Sequence, residues 1–472
     1  MAEEIGLIFG EVGHRDFNFL LKEGSDVSKG AYVKIDHENY GWVLSQITSI
    51  RISNELYTLS GLKKEKALDS ERRIATAKII GYIDEKGMLM SPKIPFKPGQ
   101  KVYAADSQLI RRSLGFRDKS TGIYLGLLDG HKGTPVYLNP NKLFQKHVSV
   151  LAKTGAGKSY TVGVLIEELL EKGIPTVIID PHGEYASLKR PNENPRELEL
   201  MDKFKVSPKG YPNIVEFTPY LDINPDADRK FVLDFTSLSP RDLIEALPTR
   251  IPSSQKAILF ESIKIAKGYG TYSIDDLIHI VQESESRSKW NLITNLEALR
   301  DSRVFEGTPT RMEDLVQEGM TSIINLKGTQ PEIQQLIVMS IATALFEARK
   351  RGELMPMLLL VEEAHNFCPE RGLSKAISSK ILRTIASEGR KFGIGLCVVS
   401  QRPARIDKNV LSQCNTQLIL KITNPNDLRA ISQSIEGFSN DLEDEIKQLQ
   451  PGVALVVGEV VEQPIIVDIR VK

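Results

Sequence analysis

A nine-residue segment at 151–159, with the sequence LAKTGAGKS, places the strongest constraint on how this chain can fold. It follows an apolar run typical of a buried strand and precedes a helix predicted over 160–172. It matches the phosphate-binding P-loop pattern, except that Ala152 replaces the first glycine. The two glycines allow the backbone to curl, so that successive N–H groups face phosphate oxygens at the start of a helix. We expect Ala152 to be tolerated because that position needs no positive φ.

This loop also predicts which groups hold ATP and Mg²⁺. Lys158 is expected to neutralise the β- and γ-phosphates, and the hydroxyl of Ser159 is expected to ligate Mg²⁺. The predicted nucleotide-binding residues are Thr154, Gly155, Ala156, Gly157, Lys158, Ser159 and Tyr160. The alternative is a glycine-rich turn without function, and the flanking strand, helix and Lys-Ser pair count against it.

A second motif ends an apolar run at 357–361 with two adjacent carboxylates, Glu362 and Glu363. This arrangement resembles a Walker B motif, in which the first carboxylate holds Mg²⁺ through water and the second polarises the attacking water. We therefore expect Glu362 to assist the metal and Glu363 to act as the catalytic base. Glutamate is one methylene longer than the usual aspartate, which leaves the metal geometry open. A buried strand that ends in a solvated acidic turn is the alternative.

Two further residues are candidates for catalysis. Gln401 follows an apolar strand at 395–400, and its position at the carboxyl end of a strand suits a sensor of the γ-phosphate, although a surface glutamine is equally compatible with the pattern. Arg390 follows a helix predicted over 373–388 and its terminal Gly389. An exposed arginine there can be merely solvated, but in a ring it can reach the γ-phosphate of a neighbouring subunit.

A third acidic motif, DPHGEY at 180–185, closes the strand after the P-loop helix. Asp180 and Glu184 could support the metal or the attacking water from a distance. His182 and Tyr185 could equally be packing or loop residues. The histidines of the chain do not show a metal-ligand spacing, so no zinc site is predicted.

The order of strand and helix patterns predicts an α/β fold with additional parts. Short strands separated by Gly, Asn and Asp fill the first hundred residues and predict a small β-barrel. Apolar strands alternate with amphipathic helices from residue 146, and the strand pattern gives way to helical spacing between about 226 and 303. The predicted parts are a barrel at 1–105, the ATPase core at 106–225 and 306–472 with a C-terminal β-hairpin, and an inserted helical bundle at 226–305.

Composition limits the environment and the partners. Lys and Arg total 61, as do Asp and Glu, so a nucleic acid could be attracted only by a local patch or by a surface concentrated through assembly. Three widely spaced cysteines suggest neither a disulfide framework nor a zinc ribbon, and a reducing cytoplasm fits best. The longest apolar stretches are too short to cross a membrane, and the acidic N-terminal segment is unlike a signal peptide, so no membrane association is expected.

Taken in order, the motifs at 154–159, 180–185, 362–365, 388–393 and 400–403 behind a β-barrel resemble the archaeal HerA family of the HerA/FtsK ATPases, over nearly the whole chain. The resemblance implies a RecA-like P-loop ATPase core, a homo-hexameric ring that moves double-stranded DNA through its channel, and a NurA-type nuclease as partner in DNA-end resection. It also implies Lys158 and Ser159 as the Walker A pair, Glu362 and Glu363 as the Walker B pair, Gln401 as sensor and Arg390 as finger. Candidate DNA-facing residues are Lys189, Arg190, Arg371 and Lys375.

Other functions remain open at this point. A rotary or secretion-type ring ATPase would move protein instead of DNA, and an ATPase scaffold would regulate the loading of a nuclease. An ABC-type ATPase is disfavoured, because its signature is approached only at 59–62, which lies upstream of the P-loop and lacks the second glycine and the glutamine.

Overall fold

The computed structural model describes residues 3–54 and 71–472. Contacts divide the chain into two compact units, Met1–Asn139 with Ala454–Arg470, and Pro140–Val453 with Val471–Lys472. The predicted boundaries at 105, 225 and 305 stay a prediction. The segment 59–62 lies outside the described residues.

Seven strands begin the first unit: β1 Glu4–Val12, β2 Asp16–Leu21, β3 Tyr32–His37, β4 Gly41–Asn54, β5 Glu71–Ile83, β6 Leu89–Met90 and β7 Lys101–Ala104. Their order is β2-β1-β7-β3-β4-β5-β6, and β2 also pairs with β5, which closes six of them into a barrel. Side chains alternate between the two faces of a strand, and in β2 this alternation buries Phe17 and Phe19 in the barrel core. The predicted N-terminal barrel is confirmed.

Three elements follow the barrel in the first unit: α1 Ser107–Ser113, β8 Ile123–Leu128 and β9 Pro135–Leu138. Asp106 caps α1 by accepting a hydrogen bond from the N–H of Leu109. β8 and β9 form an antiparallel pair.

The second unit contains a parallel sheet of eight strands: β10 Val148–Leu151, β11 Thr176–Asp180, β12 Ile214–Thr218, β13 Arg229–Lys230, β14 Thr321–Asn325, β15 Met357–Val361, β16 Ile394–Ser400 and β17 Thr416–Ile419. Their order is β13-β12-β14-β11-β15-β16-β10-β17. The central strands are buried along their whole length, which is why they read as continuous apolar runs. The predicted α/β core is confirmed, and it brings the ends of β10, β15 and β16 to one edge.

Thirteen helices accompany this sheet: α2 Pro140–Gln145, α3 Lys158–Glu171, α4 Pro195–Phe204, α5 Pro240–Ala246, α6 Ser253–Gly268, α7 Ile274–Glu283, α8 Lys289–Asp301, α9 Met312–Leu315, α10 Pro331–Arg351, α11 Ser379–Glu388, α12 Lys408–Gln413, α13 Pro425–Ser434 and α14 Asn440–Gln448. Helices α5 to α8 form the predicted helical insertion, and capping boxes at Ser239 and Ser273 begin α5 and α7. The short strand β13 precedes these helices and belongs to the sheet.

Helix α11 begins at Ser379, six residues later than the predicted start at 373. The hydroxyl of Ser378 donates a hydrogen bond to the carbonyl of Phe367, 2.7 Å away, which ties the preceding segment to the loop after β15. Helical spacing of apolar residues did not reveal this tertiary contact.

The chain ends in a pair of strands, β18 Val453–Gly458 and β19 Ile465–Ile469, as the predicted C-terminal hairpin requires. β19 pairs antiparallel with β8, which is why residues 454–470 group with the first unit. Across the described ranges, the helices are all too short or too polar to span a bilayer.

We predict that Gly126→Ala destabilises the pairing of β8 with β19. Gly126 has a φ of +155°, and an added Cβ would lie 2.0 Å from the carbonyl oxygen of Asp468. The loss combines about 1–3 kcal/mol of backbone strain with about 1–3 kcal/mol of overpacking. The matched control is Gly133→Ala, which has a φ of +74° but meets nothing within 4 Å. Thermal unfolding should show a larger loss of stability for Gly126→Ala than for Gly133→Ala. Equal losses of stability would contradict the steric argument.

Candidate active site

The loop between β10 and α3 curls through two left-handed glycines. Gly155 has a φ of +78° and Gly157 a φ of +101°, conformations that only glycine adopts at little cost. Gly157 is the N-cap residue of α3 and makes no side-chain hydrogen bond to the first N–H groups of the helix. This helix start therefore suits an anion. Ala152 is buried without a positive φ, and its N–H donates to the carbonyl of Ser400, 3.2 Å away. Alanine is therefore compatible with this loop.

The side chain of Lys158, which is 11% exposed, lies between the two carboxylates that follow β15. Its Nζ is 2.5 Å from Oε1 of Glu362 and 3.4 Å from Oε1 of Glu363. Burial is the largest influence on the pKa of Lys158 and lowers it, but the surrounding carboxylates, chiefly Glu362, outweigh burial and raise the pKa above its usual value. The lysine is therefore charged and held where the loop meets the end of β15.

The carboxylate of Glu362 is fixed from a second side by Tyr185. The fully buried phenol donates a hydrogen bond to Oε1 of Glu362 over 2.7 Å. Burial raises the pKa of Glu362, while Lys158 and the tyrosine act in the opposite direction. Tyr185 is therefore part of the site and not a simple packing residue.

Asp180 organises the loop that carries Tyr185. Its two carboxylate oxygens accept four backbone N–H groups, those of residues 182–185, at 2.8–3.3 Å. Burial raises the pKa of Asp180 to about 6, although these hydrogen bonds favour the charged form. The hydrogen bonds of the Asp180 side chain therefore stabilise the loop that follows it.

Glu363 has a left-handed backbone, with φ +47° and ψ +44°, which is uncommon for any residue with a side chain. Its Oε2 is buried and accepts no hydrogen bond among the described residues, although Nδ1 of His365 lies 3.2 Å away. Burial, and then the charges of Arg402 and Arg405, lower the pKa of His365 to about 4, so the imidazole is neutral at pH 7. The oxygen therefore keeps lone pairs that can accept a proton, as a general base must.

Two hydroxyls of the loop contact the predicted partners. Ser159 donates to the carboxylate of Glu184, and Thr154 donates to Oε1 of Gln401. The structure therefore brings Gln401 to the loop. The oxygens of Ser159, Glu184 and Glu362 lie around Lys158, and hydroxyl and carboxylate oxygens are the ligands that Mg²⁺ prefers. This donor set fits the implied metal.

The side chain of Tyr160 turns away from the loop. Its hydroxyl donates to Glu197, 2.8 Å away, and accepts from the backbone N–H of Lys472 at 3.0 Å. The ammonium of Lys472 lies 5.3 Å from the centre of the ring. Only the backbone of Tyr160 is positioned to face a phosphate group.

Arg390 is exposed on a short turn, Gly389–Phe392, between α11 and β16. This turn precedes β16, whereas Gln401 and the loop lie at the opposite end of that strand. Seven strand residues separate the two ends by roughly 20 Å, at about 3.3 Å per residue. The structure therefore does not bring Arg390 to the other candidate residues of its own chain.

Comparison with known proteins shows which proteins the chain resembles. Residues 5–85 match the HAS barrel domain, and residues 123–345 match the central domain of helicase HerA. The DNA double-strand break repair helicase HerA of Pyrococcus furiosus is 28% identical, and the match covers 99% of this chain and 92% of the relative. The protein of the same name from Saccharolobus solfataricus is also 28% identical, with 98% and 92% covered. The chain therefore contains a match to the HerA central domain and is similar to HerA helicases over nearly its whole length.

Solved structures share the fold of this chain. VirB4 of Thermoanaerobacter pseudethanolicus superimposes with a TM-score of 0.56 at 17% identity, covering 76% of this chain and 98% of that structure. The bacterial conjugative coupling protein TrwB gives a TM-score of 0.53 at 14% identity, covering 78% and 92%. At such identities the likeness concerns the fold, a P-loop ATPase core. Together with the match to the HerA central domain and the similarity to HerA helicases, this makes the chain an ATP-hydrolysing enzyme.

Sequence reasoning missed part of the candidate site. Tyr185 was ambiguous because a tyrosine after an acidic motif has no distinctive spacing. Arg402 and Arg405 were not predicted as site residues, yet their charges reach His365 beside Glu363. Their position shortly after Gln401, at the carboxyl edge of the sheet, is the sequence signal that could have indicated them as site residues.

The four candidate DNA-facing cations lie in two places. Lys189 is engaged by Asp228 at 2.6 Å and by Glu216 at 3.3 Å, and Arg190 is exposed nearby. Arg371 and Lys375 are exposed in the segment before α11. Two carboxylates thus already neutralise the charge of Lys189. The surroundings of Lys375 are different.

A buried histidine, His147, holds the turn that carries Arg390. His147 has a φ of +57°, and its Nδ1 accepts a hydrogen bond from the N–H of Leu396 over 2.9 Å. The ring packs against Gly389, the first residue of the turn. Burial, with a smaller effect of Arg390, lowers the pKa of His147 from 6.5 to about 4.

We predict that His147→Asn weakens the acid sensitivity of this protein. Because the folded pKa lies below the unfolded one, the contribution of neutral His147 is complete above pH 6.5 and is lost as the pH falls towards 4. The expected loss is about 3 kcal/mol, at about 1.4 kcal/mol per pKa unit. Asparagine keeps a hydrogen-bond acceptor and tolerates a left-handed backbone. Between pH 7.5 and 4.5 the unfolding temperature should fall more steeply for the unmodified protein than for His147→Asn. Parallel curves of unfolding temperature against pH would refute this assignment.

Proposed function

We propose that this chain is an ATP-driven motor that assembles into a hexameric ring, translocates along double-stranded DNA and acts with a nuclease in DNA-end resection. The observation that carries the proposal is the buried group of Lys158, Glu362 and Glu363 beside a P-loop. The curated relatives named as DNA double-strand break repair helicases support DNA as the substrate. The proposal includes a cytoplasmic location, which three buried free cysteines support.

The first step is the capture of ATP by the loop. N–H groups at the start of α3 bind the phosphates, and the ammonium of Lys158 leaves Glu362 to contact them. Ser159 and Glu362, with Glu184 beside them, would hold Mg²⁺, which would supply positive charge against the β- and γ-phosphates. Tyr185 keeps the carboxylate of Glu362 in place while its lysine partner moves.

The second step is the activation of water by Glu363. Its free Oε2 accepts the proton of a water molecule as that water attacks the γ-phosphorus. Gln401, which contacts Thr154 of the loop, orients the water or the γ-phosphate. The left-handed backbone of Glu363 aims the side chain, because an extended residue at this position would continue the direction of β15.

The third step needs a neighbouring subunit. Arg390 lies at the far edge of its own sheet, so its guanidinium serves the nucleotide of an adjacent chain, where it stabilises the transition-state charge. A ring provides this arrangement at every interface. It also repeats each exposed cation around a channel, which offsets the neutral charge of a single chain and lets the ring follow phosphates without reading bases.

The proposal predicts that linear duplex DNA stimulates steady-state ATP hydrolysis. Glu363→Gln should retain ATP binding and lower turnover by about 10²–10⁴-fold, because the amide cannot accept the proton. Lys158→Ala should lose ATP binding. Because this change leaves two buried carboxylates without their cation, the thermal unfolding of the variant must also be measured to show that it is folded. Equal turnover of Glu363→Gln and the unmodified enzyme would remove the base assignment. Turnover indifferent to DNA would favour a motor that moves protein or a scaffold for nuclease loading.

Arg390→Ala is predicted to lower turnover by about 10³–10⁵-fold with little change in ATP affinity, as expected for a finger. Mixing it with Lys158→Ala subunits should restore part of the activity. In mixed rings a Lys158→Ala subunit donates its intact Arg390 to a neighbour that still binds ATP. Lys391→Ala, on the same turn, is the matched control. A mixture that never exceeds the sum of its components would contradict a role across the interface.

A further inference from the structure

A cavity of about 560 Å³ lies beside the catalytic group, at the carboxyl edge of β11 and β15. Its wall includes His182 from the loop after β11, His365 from the loop after β15 and Pro331 at the start of α10. The segment before α11 completes the wall with Lys375. The late start of α11 is therefore what leaves room for this cavity.

The wall of the cavity is suited to an anion. Lys375 and Arg405 are exposed cations in it, and in the part of the chain that the structure describes no carboxylate lines it. A neighbouring cavity of about 610 Å³ around Lys189 differs in this respect, because its wall includes five carboxylates: Glu167, Glu193, Glu197, Glu216 and Asp226. The absence of acidic groups therefore distinguishes the cavity around Lys375 from that of another candidate cation.

Neutral polar side chains lie beside the two cations. The amide side chains of Gln334, Gln335 and Asn366 line the cavity. The amide nitrogen of Gln334 already donates to two backbone carbonyls, and that of Gln335 donates to the carbonyl of Asn366 over 3.3 Å. α10, which begins at Pro331, is 21 residues long and has no side-chain cap at its start. The positive end of its dipole adds to the charge of the lysine and the arginine. Glu332, in the first turn of α10, opposes this effect and lines a separate cavity of about 790 Å³ that also includes Lys375.

His365 connects this cavity to the catalytic base. Its Nδ1 lies 3.2 Å from Oε2 of Glu363 and 3.0 Å from Oγ of Ser400, while the same ring lines the cavity. Its side chain is only 10% exposed, so the ring fills the space between the two sites. A ligand that attracts or displaces the ring would change the surroundings of Oε2 of Glu363.

We propose that this cavity binds the phosphate groups of a DNA strand and that His365 transmits their presence to Glu363. This inference rests on the proposed function and names the site through which DNA would stimulate ATP hydrolysis. The phosphates of a backbone suit the wall better than bases do, because exposed cations and fixed donors contact phosphate oxygens irrespective of sequence. His365 is a positioning residue in this account, since it touches Glu363 and not the reacting atoms.

The site is tested with the full-length protein and a fluorescein-labelled DNA duplex, in the presence of a non-hydrolysable ATP analogue. Lys375→Gln combined with Arg405→Gln should weaken binding about tenfold per lost contact at 0.1 M salt, and should lower the slope of log K against log[salt] by about one per contact. Lys380→Gln, on the exposed side of α11, is the matched control and should bind like the unmodified protein. Inorganic phosphate is titrated in parallel as the alternative source of the anion.

Each possible result of this binding experiment supports or overturns the proposed site. If the unmodified protein binds the duplex and the double variant matches the control, this site is wrong while the proposed function stands. If the unmodified protein does not bind DNA, both fail. A loss of phosphate binding alone, with DNA binding intact, would assign the cavity to a free anion and overturn the DNA assignment.

The connection through His365 is tested by the ratio of ATP turnover with duplex to turnover without it. In His365→Asn the amide occupies the position of Nδ1 but does not reach the cavity, so this ratio should fall towards one while DNA affinity changes less than about threefold. His365→Gln places an amide near the position of Nε2 and should restore part of the ratio. An undiminished ratio in His365→Asn would overturn the connection.

Discussion

The ion pair between Lys158 and Glu362, buried at the end of β15, is the interaction on which the rest of the site depends. Two buried charges are costly unless they are paired and hydrogen-bonded, and here Glu363 and Tyr185 complete the group. Because the lysine belongs to the P-loop and the glutamates follow another strand, the pair also sets the distance between the loop and Glu363. The loop after β11 is built around Asp180 so that Tyr185 can reach this pair.

The parallel sheet explains why Arg390 lies apart from the other candidate residues of its own chain. All of its strands point the same way, so the loop, the two glutamates and Gln401 meet at one edge, while Arg390 is carried to the other edge by the turn before β16. Within our proposal, this separation makes assembly a condition of hydrolysis. It also places His147, which packs behind the turn, directly before the strand that leads into the P-loop of the same chain.

Much of this architecture could be predicted from the sequence, because glycine at 155 and 157, lysine at 158 and adjacent glutamates after an apolar run are local patterns with a specific chemistry. The barrel and the helical insertion were visible in the periodicity of apolar residues. The role of Tyr185, the late start of α11 and the cavity around Lys375 could not be predicted, since each depends on contacts between segments far apart in the chain. The pairing of β19 with β8 is another such contact.

The central claim is that a catalytic group held in one chain is completed by its neighbour. The most direct test is the structure of the assembled protein with a non-hydrolysable ATP analogue, Mg²⁺ and duplex DNA, measured as the distance from the Arg390 guanidinium to the nearest γ-phosphate. The account predicts about 3 Å, to the nucleotide of the adjacent subunit, with Lys158 moved from Glu362 onto the phosphates. A guanidinium that stays in solvent at every interface, or a ring without contacts between Arg390 and a neighbouring nucleotide, would contradict it.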